Sequence, residues 1–336
     1  MNVGEMIKPS IRNVPPSGIR KYFDLLNDMK DAISLGVGEP DFVTPWTIRE
    51  AGIYSLEKGR THYTSNAGIF ELRKQISNYL KRKYQLEYNP TNEIIVTVGA
   101  SEAIDAALRS IVGPGDEVII PEPCFVAYKA CVTFTGATPV CIRLRAEDQF
   151  KLTPELLKSA ITDRTKALIL QFPNNPTGAI MTREDLEKIV AILKDKNILV
   201  ISDEIYSELT YEGKHVSIAS FPEMKDKTLV INGFSKAFAM TGWRLGYACG
   251  HKDWINAIFK IHQYGIMSAP TPAQYAAIEA LSNGDNDVDT MVREYNRRRR
   301  VMVDGFRKAG FECFEPLGAF YVFPCIKSSG MTSEEF

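Results

Sequence analysis

The chain has 336 residues, 45% hydrophobic and 24% charged, with Lys+Arg 40 against Asp+Glu 41 and a formal net charge of −1. That length exceeds the roughly 250–300 residues of one core, so a large domain plus a smaller one is expected, and the near-neutral charge gives no electrostatic reason for a nucleic-acid or membrane partner. No apolar run approaches the ~18 residues of a membrane span; the 6 cysteines have no paired spacing and read as reduced thiols of a cytoplasmic protein, and the 4 histidines lack metal-ligand spacing, so no metal is expected.

Pro9, Pro15, Pro16 and Gly18 precede a helix-like piece, Ile19–Met29, and residues 1–45 read as an arm with part of a smaller domain. A short strand from Ile33 runs into Gly38-Glu-Pro-Asp, where glycine lets the backbone approach a ligand closely. A plain turn would explain Gly38 equally well. Thr61–Gly68, containing Tyr63, reads as an exposed loop before a helix with Leu72, Ile76, Tyr79 and Leu80 on one face.

From there strands and helices alternate. Strand Ile94–Val98 leads to helix Ser101–Val112, whose apolar positions 104, 107, 108 and 111 fit a helical period. Strand Glu117–Ile120 ends at Pro121, and strand Thr138–Ile142 precedes a helix opening at Thr153-Pro154. Strand Ala167–Gln171 leads through Asn174-Asn175-Pro-Thr-Gly178 to a helix capped by Thr182 with Asp185 three on. Strand Ile198–Ser202 ends at Asp203, and strand Leu229–Ile231 ends at Gly233. This alternation predicts an α/β fold, a mostly parallel central sheet with helices on both faces.

Lys236 follows the last of these strands, Arg244 lies eight residues on, and Leu245–Cys249 reads as another strand. Desolvation weakens a lysine's preference for the ammonium form, and the free amine can attack a carbonyl. An arginine fork suits a phosphate dianion. These are the minimum for holding pyridoxal phosphate (PLP). Either cation alone would pass as a surface residue, but Ser101, Asn175, Asp203, Tyr206 and Lys236 all fall at strand ends, where such sheets bind ligands.

Beyond residue 280 the pattern changes. Met291–Lys308 is a basic helix containing Arg297-Arg-Arg-Arg300, read as a solvated face. Phe311–Pro324 reads as a hairpin turning at Pro316-Leu-Gly318, typical of a smaller α+β domain. Thr332-Ser-Glu-Glu335 is a helix-start signal, from which the sequence is expected to break off inside that small domain. The expected division is 1–45 as arm, 46–282 as large domain and 283–336 as an incomplete small domain.

Taken together, Gly38-Glu-Pro-Asp, Tyr63 with Ala67-Gly68, Val98-Gly-Ala-Ser101, Asn174–Gly178, Ser202-Asp-Glu-Ile-Tyr206 and Ser235-Lys236 through Arg244 resemble the fold-type I, class I/II PLP-dependent aminotransferases, nearest the aspartate/aromatic branch. The resemblance covers nearly the whole chain and implies that 46–282 is the PLP-binding domain. It implies Lys236 as the residue that bonds the cofactor's aldehyde and then moves a proton as general base, and Asp203 as partner of the pyridine nitrogen. Tyr206 and Asn175 would donate to the phenolic oxygen, and Phe125 would stack on the ring, where many relatives use tryptophan. Gly99, Ala100, Ser101, Ser235 and Arg244 would hold the phosphate. Gly233 departs from a serine common in relatives, and Ser235 would compensate. Tyr63 would reach the phosphate of a neighbouring subunit, implying a homodimer. Gly38 and Asn175 would bind substrate, while the main carboxylate-binding arginine is expected beyond Phe336.

The implied activity is amino-group transfer from an L-amino acid, aspartate or aromatic type favoured, to a 2-oxo acid. A PLP-dependent β-lyase on the same scaffold and a non-catalytic PLP-binding domain are the alternatives. The absence of GxGxxG opening a helix and of GxxxxGK[ST] disfavours a nucleotide-binding reading.

Overall fold

The computed structural model of the chain describes residues 3–16, 18, 35, 36 and 38–336. The expected helix Ile19–Met29 and the strand from Ile33 lie outside the described residues. Strands form at Ile94–Thr97 (β1), Glu117–Glu122 (β2), Thr138–Arg143 (β3), Thr165–Gln171 (β4), Leu199–Asp203 (β5), Thr228–Gly233 (β6) and Gly246–Cys249 (β7). They join one sheet in the order β1-β7-β6-β5-β4-β2-β3. Neighbours from β6 across to β3 run parallel, whereas β7 is antiparallel to both β1 and β6. The mostly parallel sheet expected from the alternation is present.

The reversed strand decides where Arg244 lies. Gly246, the first residue of β7, pairs with Thr97 at the end of β1 and with Gly233 at the end of β6. The segment entering β7 therefore starts from the edge at which β1, β5 and β6 finish. Arg244 is delivered to the same rim as Gly99, Asp203 and Lys236.

Helices run at Pro9–Arg12 (α1), Trp46–Glu57 (α2), Phe70–Tyr84 (α3), Gly99–Ile111 (α4), Ala127–Thr135 (α5), Pro154–Ala160 (α6), Arg183–Leu193 (α7), Lys252–Gly265 (α8), Thr271–Asn283 (α9) and Asp285–Lys308 (α10). Side chains alternate across a strand, and here both faces are covered. Leu229 and Ile231 of β6 join Ile201 and Ile169 against Ile104 and Leu108 of α4, Val132 of α5 and Ile258 of α8. Val230 points the other way, with Val96 and Tyr247, against Leu72 and Ile76 of α3 and the alanines of α9. Leu168, Leu170 and Val200 pack on α6 and α7. Each such aliphatic side chain, fully buried, contributes about 1.5–3 kcal/mol. That is why the strands read as unbroken apolar runs. Among the described residues no helix is long and apolar enough to cross a membrane.

Three sequence expectations change in detail. β2 continues through Pro121 to Glu122, since a missing N–H is tolerated near a strand end. The hairpin shrinks to two residue pairs, Glu312–Cys313 (β8) against Pro324–Cys325 (β9). Pro316-Leu-Gly318 packs on the Asn174–Gly178 loop instead of making a tight turn: the N–H groups of Leu317 and Gly318 donate to the Gly178 carbonyl at 3.0 and 2.9 Å. The arginine run is only partly a solvated face. Arg297 and Arg298 pair with Glu294, and Arg298 also reaches Asp41 at 2.7 Å, but Arg299 is buried against Glu315 at 2.6 Å. The Thr332–Glu335 box forms its reciprocal bonds, Thr332 N–H to Glu335 Oε2 at 2.8 Å and Glu335 N–H to Thr332 Oγ1 at 3.3 Å.

Candidate active site

Lys236 lies three residues past β6, and its ammonium is drawn largely out of water. Burial brings the lysine pKa down to about 8; Glu39 and Asp203 oppose that shift, and Arg244 adds to it. Nζ donates to the Gly38 carbonyl at 2.6 Å and lies 5.8 Å from the Tyr206 ring and 5.4 Å from the Phe320 ring.

Asp203 closes β5 and is buried. Burial pushes its pKa up to about 6, against the hydrogen bonds from the Tyr128 hydroxyl and the Ile205 N–H and the charge of Lys236. Tyr128 Oη donates to Oδ2 at 2.6 Å, and the Ile205 amide to Oδ1 at 3.2 Å. Asp203 and Lys236 lie near enough for each to feel the other's charge. Tyr206, three residues beyond Asp203, shares a 2.5 Å hydrogen bond with the Tyr321 hydroxyl. Burial first, then Tyr321, raises the pKa of Tyr206 well above the usual phenol value.

The start of α4 lies against Arg244. Its N-cap, Val98, supplies no side-chain acceptor, so the first amides of the helix remain available to an anion. Gly99 holds φ +72°, and a Cβ there would lie 2.6 Å from Nη2 of Arg244. A Cβ on Gly246 would lie 2.5 Å from the Ala100 amide. Only glycine lets the arginine fork and the helix start come this close. Arg244 itself holds φ +51° and is tied by Nη1 to the Thr241 carbonyl at 3.0 Å, a backbone conformation costing a non-glycine residue roughly 1–3 kcal/mol. An amine of lowered pKa, a cationic cup of open amides and a buried carboxylate lacking a full counter-charge fit PLP's aldehyde, phosphate and ring nitrogen in turn.

The other expected residues sit less uniformly. Ser235 is buried beside Lys236, while Ser101 is exposed in the first turn of α4. Phe125 is half-buried, its ring edge-on to Tyr128 at 5.6 Å. The Asn174–Gly178 loop is shaped by Asn174, whose Oδ1 accepts the Thr177 N–H at 3.0 Å and hydroxyl at 2.7 Å. The neighbouring Asn175 gives its N–H to Gln171 Oε1 at 3.3 Å, and its side chain is half-buried at the end of β4. Gly38 presents its carbonyl to Lys236, and a Cβ there would lie 2.5 Å from Tyr321 Oη. Tyr63 is 82% exposed. Tyr128, Tyr321, Phe320 and Glu39 were not foreseen. Glu39 alone carried a signal, being part of the Gly38-Glu-Pro-Asp turn.

The profile of the family described as aminotransferase class I and II matches residues 30–336. YugH of Bacillus subtilis (strain 168), assigned by its name to the aminotransferases, is 53% identical over 326 residues, 97% of this chain and 84% of that protein. The aspartate aminotransferase of Pyrococcus abyssi (strain GE5 / Orsay) is 43% identical over 326 residues, 96% of this chain and 84% of its own. The crystal structure of the aromatic aminotransferase from Pyrococcus horikoshii OT3 superimposes with a TM-score of 0.89 at 42% identity, covering 94% of this chain and 85% of that one.

Proposed function

The chain belongs to the class I and II aminotransferase family, and from that membership we propose how its residues divide the work and which substrates they take. It is a PLP-dependent transaminase, moving the amino group of an L-amino acid to a 2-oxo acid. Bound PLP supplies an aldehyde carbon that takes up the amino group and a ring that draws electrons from the substrate's α-carbon.

Lys236 would bond that aldehyde through its free amine and would serve as the base that accepts the substrate's α-proton. Its pKa of about 8 supports both roles, because a usable fraction is free amine near neutrality. Asp203 keeps a proton on the ring nitrogen, and Tyr128 steadies the carboxylate for that task. Tyr206 and Asn175 donate to the phenolic oxygen, and Phe125 covers the ring. Gly99, Ala100, Ser101, Ser235 and Arg244 hold the phosphate, and Gly38 with Asn175 lines the substrate side. The 82% exposure of Tyr63 supports its reaching a neighbouring copy, and so a homodimer. The division into 46–282 and 283–336 and a cytoplasmic location belong to this reading.

Aspartate and aromatic amino acids are the proposed donors, supported by the names of the Pyrococcus relatives. The observation that carries the whole is the amine of Lys236, its pKa lowered by burial, within the field of Asp203. The test mixes PLP-loaded protein with aspartate, glutamate, tyrosine or phenylalanine and follows the cofactor's absorbance. Conversion of the aldehyde form to the amine form by at least one donor is expected; failure with all four would refute the proposal.

A further inference from the structure

We propose that Glu102 and His262 form a positioning pair that holds the Val98–Ser101 backbone in the shape that takes PLP's phosphate. The proposal rests on the cofactor reading above. A Ser, Thr or Asp at an N-cap normally ties up one of the next amides with its own side chain. Here the cap is Val98, which offers nothing. Glu102, in the first turn, instead reaches back to accept the Val98 N–H on Oε2. One backbone donor is thereby satisfied outside the anion cup, and the amides of Gly99, Ala100 and Ser101 have no competing side-chain cap.

Glu102 cannot hold this pose alone, since its other oxygen also needs a partner. That partner is Nδ1 of His262 on α8, at 2.6 Å. The two side chains are 14% and 0% exposed. Nε2 of His262 is buried with no hydrogen-bond partner among the described residues. A bare ring nitrogen left without a donor costs less than a buried N–H left without an acceptor. The tautomer that leaves the bare nitrogen unpaired carries its proton on Nδ1, and that N–H donates to Glu102. A carboxylate this close to a phosphate site works against the anion's charge, so its value lies in the backbone it fixes, not in its field. The Thr97 hydroxyl adds a second tie, donating to the Gly99 carbonyl at 2.9 Å.

The test compares binding of PLP with binding of pyridoxal, which lacks the phosphate but keeps the aldehyde and ring. Dissociation constants are read from absorbance for wild type, His262→Leu and His262→Asn, with melting curves of the cofactor-free proteins. His262→Leu should weaken PLP binding about tenfold, the worth of one charge-assisted hydrogen bond, and leave pyridoxal binding within about twofold. In His262→Asn the Nδ2 group stands in for Nδ1, and PLP binding should return to within about threefold of wild type. Should His262→Leu fail to fold, Glu102→Ala removes the pair from the other side with the same expected loss. An equal loss for PLP and pyridoxal, or no loss for either, overturns the pair's positioning role. Wild type that binds neither compound overturns the cofactor reading itself.

Discussion

Replacing Asp203 with asparagine should make the cofactor-free protein more stable at neutral pH while abolishing transamination. The carboxylate is 3% exposed, and burial lifts its pKa from the ordinary 3.8 to about 6. A folded-state pKa above the unfolded one means that the native state binds more protons between those values. Stability is then greatest below the unfolded value and declines as pH rises through the folded one. A gap of roughly 2 units at ~1.4 kcal/mol each sets the full loss at about 3 kcal/mol. Between pH 4.5 and 7.5 the share that is lost is about 2 kcal/mol. Asparagine cannot ionise, so this slope should vanish in the variant. Tyr128 can turn its hydroxyl to accept from the new amide, at a cost of about 1 kcal/mol that does not depend on pH. Urea unfolding of both proteins without cofactor, at fixed protein concentration, gives the difference directly. The stability of Asp203→Asn relative to wild type should rise by about 2 kcal/mol from pH 4.5 to 7.5. A difference that stays flat across that range would refute the burial argument for Asp203.

Gly99→Ala should weaken PLP binding at least about tenfold. The left-handed backbone costs alanine about 1 kcal/mol, and its Cβ would displace the Arg244 fork from 2.6 Å; equilibrium titration with PLP measures this. The rate at which cofactor-free protein captures PLP should climb with pH and level off above about 8, following the Lys236 amine. At pH 7 the free fraction is about a tenth, some 300-fold more than for an ordinary lysine. A stopped-flow pH profile rising instead toward the usual lysine pKa would show that burial has not tuned this amine.

The parts of the site legible in the sequence were those written into single strand ends. Asp203 closes an apolar run and Lys236 follows one three residues on; burial on both faces makes such runs continuous, so their ends mark one rim. What periodicity does not carry is direction. Nothing in Leu245–Cys249 says that β7 runs opposite to its neighbours, yet that reversal is what brings Arg244 to Gly99. Contacts between distant segments were equally silent: Tyr128 meets Asp203 across 75 positions and Tyr321 meets Tyr206 across 115. α9 was overlooked because its buried face is built from Ala273, Ala276, Ala277 and Ala280, whose small side chains give little apolar contrast. Arg299 misled for the opposite reason. A charged residue in a basic run reads as solvated until Glu315, sixteen residues on, is folded against it.

Borohydride reduction of PLP-loaded protein, followed by peptide mapping, tests the assignment of the reactive amine most directly, because it fixes the bond between amine and aldehyde as a stable secondary amine. One pyridoxyl group per chain on the peptide containing Lys236 is the expected result. A label on any other lysine, or protein that carries none after loading, would contradict it.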